Sequence, residues 1–194
     1  MVRVVPAMTE AWVVCGAPAA GKSVLGAALA RRLRAALLDQ DVLTGPLTSV
    51  IARLVGAPPG DLDDPRVRAA TRDATYEALL GVAADCLDVG VPVVLVAPFT
   101  AERSNADAWR GLSQRLQDRV VLVWASVPRG ELMRRLARRD APRDRRKLDD
   151  IEAFLASSAL DPPVVPHISV DTTLTLADQV DLVLKETPGA HRHA

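Results

Sequence analysis

Apolar residues along this chain gather into five short runs separated by stretches with helical spacing. The first run, Ala11 to Cys15, precedes a pattern from Ser23 to Ala35 that puts Leu25, Ala28, Leu29 and Leu33 on one helical face and turns Arg31, Arg32 and Arg34 away. A second strand is expected over Ala36 to Asp39, and glycines and prolines break Val42 to Pro65 into short helices and loops. A long helix is predicted from Arg66 to Val89, stopped by Gly90 with Pro92 beyond it. Val91 to Ala97 reads as a buried third strand, Ala101 to Gln117 as one helix and Val120 to Trp124 as the fourth strand. Helices over Arg129 to Arg139 and Asp150 to Ser158 flank a charged stretch; a fifth strand, Val164 to Val170, precedes a last helix, Leu176 to Lys185. Strands that are apolar throughout, alternating with helices, indicate a parallel sheet covered on both faces. The expectation is a three-layer α/β fold, one domain over residues 1–186, and a flexible tail at 187–194.

Composition narrows the classes. With 194 residues, 49% apolar and 25% charged, the chain can bury a sizeable core. A net charge of zero argues against a partner held by bulk charge, such as nucleic acid. Cys15 and Cys86 lie within apolar runs and read as core residues of a reducing, cytoplasmic compartment. No apolar run approaches the ~18 residues of a membrane span, and Met1 to Glu10 lacks the layout of a signal peptide.

Between the first strand and first helix stands Gly16-Ala17-Pro18-Ala19-Ala20-Gly21-Lys22-Ser23, with Val24 following. This Gly-x-x-x-x-Gly-Lys-Ser spacing, in that strand-to-helix context, builds a phosphate-binding loop (P-loop). Backbone N–H groups wrap an anion and the helix N-terminus adds partial positive charge. Lys22 is placed to reach the β- and γ-phosphates of ATP, and Ser23 to ligate Mg²⁺. After the second strand come Asp39 and Asp41 around Gln40. In an extended chain, residues two apart share a side, so both carboxylates are expected on one cleft with Gln40 facing away. One carboxylate would support the Mg²⁺ shell and the other would take the proton of an attacking hydroxyl.

P-loop, Asp-x-Asp and a late arginine helix together resemble the small-molecule P-loop kinases, a group that includes shikimate kinase, gluconate kinase and chloramphenicol phosphotransferase. Tyr76-Glu77-Ala78-Leu79, Val94-Leu95-Val96-Ala97-Pro98-Phe99 and Val170-Asp171-Thr172-Thr173 are similar to stretches of bacterial AAA domain kinases. The resemblance runs from Trp12 to Lys185 and implies an adenylate-kinase-like fold of five parallel strands ordered 2-3-1-4-5, with a lid near 140–150. It also implies ATP and Mg²⁺ as cofactors, and by similarity to shikimate kinase it implies Asp39 near magnesium and Asp41 at the acceptor hydroxyl, as the base that takes its proton. The acceptor signatures of shikimate and adenylate kinases are absent, since strand three ends in Ala97-Pro98-Phe99-Thr100.

In the arginine helix, Leu132, Met133 and Leu136 mark the buried stripe. At about 100° per residue, Arg135 and Arg139 flank it while Arg134 and Arg138 lie nearly opposite. Arg135 and Arg139 are therefore the candidates to stack on adenine and neutralise the transferring phosphoryl group, with Arg143 as the lid arginine. Acceptor candidates are Phe99, Thr100 and Arg103 beside the P-loop; Arg103 reads equally as a helix-surface residue. The segment Leu43 to Leu54 and the start of the long helix, near Arg66, Arg72 and Tyr76, are further lining candidates. Asp171 and Thr172 are expected at the adenine edge or, equally, in a helix-capping loop.

The resulting expectation is an ATP-dependent phosphotransferase acting on a hydroxyl of a small molecule such as a sugar, polyol or hydroxylated natural product. Two alternatives stand beside it: a nucleic-acid or nucleoside end kinase, and a non-catalytic ATP-binding regulator. The chain carries no aromatic platform for bases, and Ala97 stands where a motor ATPase ends strand three in aspartate. Monomer and homodimer are both compatible with it.

Overall fold

The computed structural model describes residues 9–62, 64–139, 141, 144 and 148–188. The elements run β1 (Ala11–Gly16), α1 (Lys22–Leu33), β2 (Ala36–Asp39), α2 (Gln40–Leu54), α3 (Pro65–Asp88) and β3 (Val93–Val96). Then follow α4 (Thr100–Ser104), α5 (Ala106–Arg115), β4 (Val120–Ser126), α6 (Arg129–Arg139), α7 (Ile151–Ala156), β5 (Ile168–Asp171) and α8 (Leu176–Glu186).

All strand pairs are parallel and the sheet order is β2-β3-β1-β4-β5, the order expected from the resemblance. Alternate residues of β1 serve opposite faces. Val13 and Cys15 join Leu79, Ala83, Leu112 and Leu116 on one side; Trp12 and Val14 join Leu25, Leu29, Leu132, Leu136 and Val183 on the other. Helices thus cover both faces of the sheet, in a three-layer P-loop NTPase fold. The register pairs Asp39 with Val96 and Gly16 with Ala125, so the carboxyl ends of four strands meet at one edge. That edge is where the P-loop sits.

On the second face the layers approach closely at Gly26, where an added Cβ would stand 2.4 Å from Val96 Cγ2. Trp12 is anchored at its polar end, its Nε1 donating to Thr187 Oγ1 at 3.2 Å. Among the described residues no helix is long and apolar enough to cross a membrane. Cys15 is buried, Cys86 half-buried, and both are free thiols.

Three expectations are corrected. Residues 40–54 form one helix despite Gly45 and Pro46. The Asp39 side chain caps it by accepting from Asp41 N–H, and Thr44 and Ala52 bury against the fold, which outweighs poor local propensity. The single helix expected over 101–117 is two, because Asn105 turns extended (φ −142°) and its side chain caps α5 at Asp107 and Ala108. The tail does not begin at Thr187, which is 2% exposed and donates to Val183 O at 2.7 Å. Residues 189–194 lie outside the described residues.

Candidate nucleotide and acceptor cleft

Gly16 ends β1 with φ 149°, and a Cβ there would come within 2.6 Å of Ala125 O. Gly21 adopts φ 98° immediately before α1, a region where L residues are strained. The loop between them turns back on itself, with Ala20 N–H bonded to Ala17 O at 3.1 Å. The N-terminus of α1 has neither a side-chain cap nor an acidic residue in its first turn. Its amides are therefore left to an anion, which the helix dipole also favours. Lys22 Nζ donates to Ala17 O at 2.8 Å, within the loop it belongs to. Burial pushes the Lys22 ammonium down to about 8, and the Asp41 carboxylate is the strongest charge opposing that shift.

Ser23 Oγ donates to Asp39 Oδ2 at 2.7 Å, while Asp39 Oδ1 accepts from Asp41 N–H at 3.0 Å. One carboxylate thus joins the P-loop to the start of α2. Asp41 is not extended alongside Asp39, as the strand periodicity implied; it stands in the first turn of α2. Both still line the cleft, and so does Gln40, whose Nε2 donates to Thr75 Oγ1 at 3.0 Å. Gln40 faces the cleft because the chain turns helical there, which replaces the two-residue alternation with a helical one.

Arg135 and Arg139 reach the cleft as expected. Arg135 is held by Glu131 (Nε to Oε1, 2.8 Å) and by Thr172, whose Oγ1 and O accept from Nη1 and Nη2 at 2.9 Å each. That clamp draws α6 onto Gly21, where an added Cβ would be 3.5 Å from Arg135 Nη1. Arg139 Nε donates to the buried Asp144 at 2.6 Å. Arg138, expected on the far side, also lines the cleft. Met133 is 40% exposed, so the buried stripe is Leu132 and Leu136 alone and the cleft face rotates to 131, 135, 138 and 139. Arg143 lies outside the described residues, as does most of the expected lid.

The acceptor candidates divide. Thr100 lines the cleft. Phe99 does not: its ring is fully buried against Tyr76, centroids 5.5 Å apart, and its N–H donates to Tyr76 Oη at 2.9 Å. Apolar burial beyond β3 outweighed the positional argument that put it at the phosphate. Arg103 is no surface arginine. It is 4% exposed, lies 4.8 Å from the Trp124 ring centroid and donates to Asp161 O, clasping the segment that leads into β5, and it also lines the cleft beside Thr100. Thr172 borders the cleft, but Asp171 is exposed and turned into the local bend, accepting from Thr173 N–H and Oγ1 at 2.8 Å each. Asp171 thus closes a local turn, and the cap of α8 is Thr175, whose Oγ1 accepts from Asp178 N–H at 3.2 Å. Arg66, on the exposed rim, is bound to Asp64 through Nε and Nη2 at 3.0 Å each.

These residues enclose one continuous cleft of about 1270 Å³, spanning the P-loop, the α2–α3 face and α6. Sequence reasoning named the Leu43–Leu54 segment and the start of the long helix as lining but did not single out Thr44, Thr48, Arg68, Thr71 or Thr75 within them, and it missed Arg138 and Gln179; all of these line the cleft. The spacing of Arg68 and Arg72, one helical turn apart, was the signal for Arg68.

Residues 12–160 match the family described as AAA domain. Among solved structures, a sugar kinase from Janibacter sp. HTCC2649 is 17% identical, with TM-score 0.64, covering 94% of this chain and 97% of its own. A gluconokinase from Sinorhizobium meliloti 1021 is 19% identical, with TM-score 0.57 over 95% and 93%. Shikimate kinase from Aquifex aeolicus is 18% identical, with TM-score 0.53 over 95% and 99%. No sequence among the curated proteins matches the chain.

Proposed function

The chain belongs to the AAA domain family, and from that premise we propose that it transfers the γ-phosphoryl group of ATP to a hydroxyl of a small molecule. One observation carries the proposal: Asp39 is bonded to the P-loop serine while Asp41, in the first turn of α2, faces the same cleft and acts on Lys22. Such an arrangement supplies a phosphate cradle and a proton acceptor side by side, which a switch protein has no need of. The fold of its structural neighbours, which include a sugar kinase and a gluconokinase, supports the same reading.

In the reaction, the acceptor hydroxyl oxygen forms a bond to the γ-phosphorus and the bond from phosphorus to the bridging β–γ oxygen breaks. ADP leaves, and the hydroxyl proton passes to Asp41. Lys22 and the α1 amides bind the β- and γ-phosphates and oppose the charge that moves onto the leaving oxygen. Gly21 admits the phosphate chain, Ala17 to Val24 encircle it, and Arg135, fixed by Glu131 and Thr172, holds α6 over the loop. Arg138 and Arg139 extend the positive wall, and Thr100 borders the acceptor.

Ser23 Oγ and Asp39 Oδ2 form a hard oxygen pair beside the phosphate cradle, a donor set that fits Mg²⁺. Among the described residues no cluster of three or more His, Cys, Asp or Glu could hold a metal unaided, so phosphate and water oxygens would complete the shell. When bound, the ion neutralises phosphate charge.

Incubating the protein with Mg²⁺, ATP and panels of sugars, polyols and their acids, with ADP release as readout, tests the proposal. Acceptor-dependent ADP formation that disappears in Asp41→Asn is the expected result. Turnover of ATP with no dependence on any acceptor, unchanged in that variant, would overturn it.

A further inference from the structure

The wall of the cleft facing the P-loop is built from α2 and α3, and its polar groups are unevenly occupied. Thr44, Thr48, Thr71 and Thr75 each donate a hydroxyl hydrogen to a carbonyl of their own helix, at 2.8 to 3.0 Å. Thr75 Oγ1 also accepts from Gln40. These threonines present methyl groups and lone pairs to the cleft, with no donor to offer.

Arg68 and Arg72 stand on the same wall and both line the cleft. Among the described residues neither guanidinium is paired with a carboxylate; Arg72 lies 5.9 Å from the Tyr76 ring centroid and makes no ion pair. Elsewhere in the fold arginines near acids are bound to them, as Arg66 is to Asp64, Arg115 to Glu77 and Arg139 to Asp144. Two guanidiniums at i and i+4 on one helix repel each other, a cost that an anion bound between them reverses. Their planar forks match carboxylate and phosphate oxygens. A neutral sugar needs no such pair, and the threonines could not direct donors to its hydroxyls.

We infer that the phosphoryl acceptor is itself an anion, carrying a carboxylate or phosphate group that Arg68 and Arg72 bind while its hydroxyl faces Asp41. This rests on the phosphotransfer reading above. The anionic group is held on the α3 side of the cleft, and the transferred phosphoryl group comes from the P-loop side. Charge on the acceptor then selects the substrate before any hydroxyl is aligned.

The test uses the whole chain saturated with Mg²⁺ and the non-hydrolysable analogue AMPPNP, so that the P-loop is filled. Inorganic phosphate and malonate are then titrated calorimetrically into wild type, R68Q/R72Q and, as a charge control, R31Q/R32Q on the exposed face of α1. At least one anion should bind the loaded wild type, and R68Q/R72Q should weaken it by about tenfold or more, the loss expected for removing a charged partner. AMPPNP affinity and the R31Q/R32Q titration should change by less than about twofold. Stronger binding of malonate identifies a carboxylate acceptor, stronger binding of phosphate a phosphorylated one. Absence of anion binding, or binding that survives in R68Q/R72Q, overturns the inference. Failure of AMPPNP to bind counts against the phosphotransfer reading alone: anion binding to the unloaded protein that is lost in R68Q/R72Q still upholds the site, and binding independent of both arginines removes it.

Discussion

Ser23 and Asp39, sixteen positions apart in the chain, share a hydrogen bond of 2.7 Å across the base of the cleft. The bond ties the phosphate loop to the end of β2, and the other oxygen of the same carboxylate caps α2 through Asp41 N–H. Asp39 therefore has a structural duty, to which the proposed magnesium role adds a chemical one that substitution can separate.

Asp39→Asn retains an acceptor for the cap but lacks the negative charge. Its thermal midpoint is expected within a few degrees of wild type, because Asn caps about as well as Asp. Its Mg²⁺-dependent turnover should fall by about a hundredfold or more, since a charged ligand is replaced by a neutral one. Asp39→Ala should lose about 1 kcal/mol of stability in addition, measurable by denaturant unfolding. An Asn variant with full activity would confine Asp39 to capping.

Asp41→Asn addresses the neighbouring carboxylate. Removal of a general base lowers kcat by about 10² to 10⁴. ATP affinity at neutral pH should stay within about twofold, as the P-loop amides and Lys22, rather than a carboxylate, hold the phosphates. A loss confined to ATP binding would assign Asp41 to the nucleotide.

Lys22 makes nucleotide binding depend on pH. In the free protein burial lowers its ammonium to about 8. A bound triphosphate favours the charged form and raises that value again. Below pH 8 the lysine is charged in both states and affinity is flat; above it, binding must first take up a proton. The dissociation constant for ATP is therefore expected to rise by up to about tenfold per pH unit between pH 8 and the value in the complex. Calorimetry at pH 8.5 in buffers of different ionisation enthalpy should register proton uptake. Lys22→Arg, charged throughout, should give a flat profile at reduced affinity.

Two glycines in helices predict opposite effects. Gly26→Ala drives a methyl group to 2.4 Å from Val96 Cγ2 and should destabilise by about 1–3 kcal/mol. Gly81→Ala, in the interior of α3 with open space around it, should stabilise by about 0.5–1 kcal/mol. Urea unfolding of both variants measures the pair.

Arg138 and Arg134 adjoin in α6 but differ in surroundings. Arg138 lines the nucleotide cleft, whereas Arg134 is paired with Glu131 at the surface. Arg138→Ala should lower kcat/KM by about tenfold or more. Arg134→Ala should leave it within about twofold. Equal effects of the two would assign Arg138 to the surface as well.

Much of this was legible in the chain. Alternating apolar runs determined a parallel sheet, because strands buried on both faces have no polar side to show, and Gly16 to Ser23 determined the phosphate loop, because that spacing of glycine, lysine and hydroxyl between strand and helix aims backbone amides at an anion. Local rules failed where long-range packing decided. Pro46 argued against a helix that the Asp39 cap and α3 nevertheless stabilise, and Met133 drew the buried stripe of α6 one position too wide. Phe99 was assigned to the acceptor by position, but Tyr76, distant in sequence, holds it in the interior; Arg103, read equally as a surface residue, is buried against Trp124 while still lining the cleft. Which arginines are bound to acids depends on partners brought near by folding, so Arg66 and Arg68, two residues apart and alike in sequence context, could be told apart only in three dimensions. The sequence by itself determined the sheet and the phosphate cradle, through periodicity and local backbone chemistry. Tertiary structure alone decided which charges face the cleft without partners, because pairing is a property of distance in space.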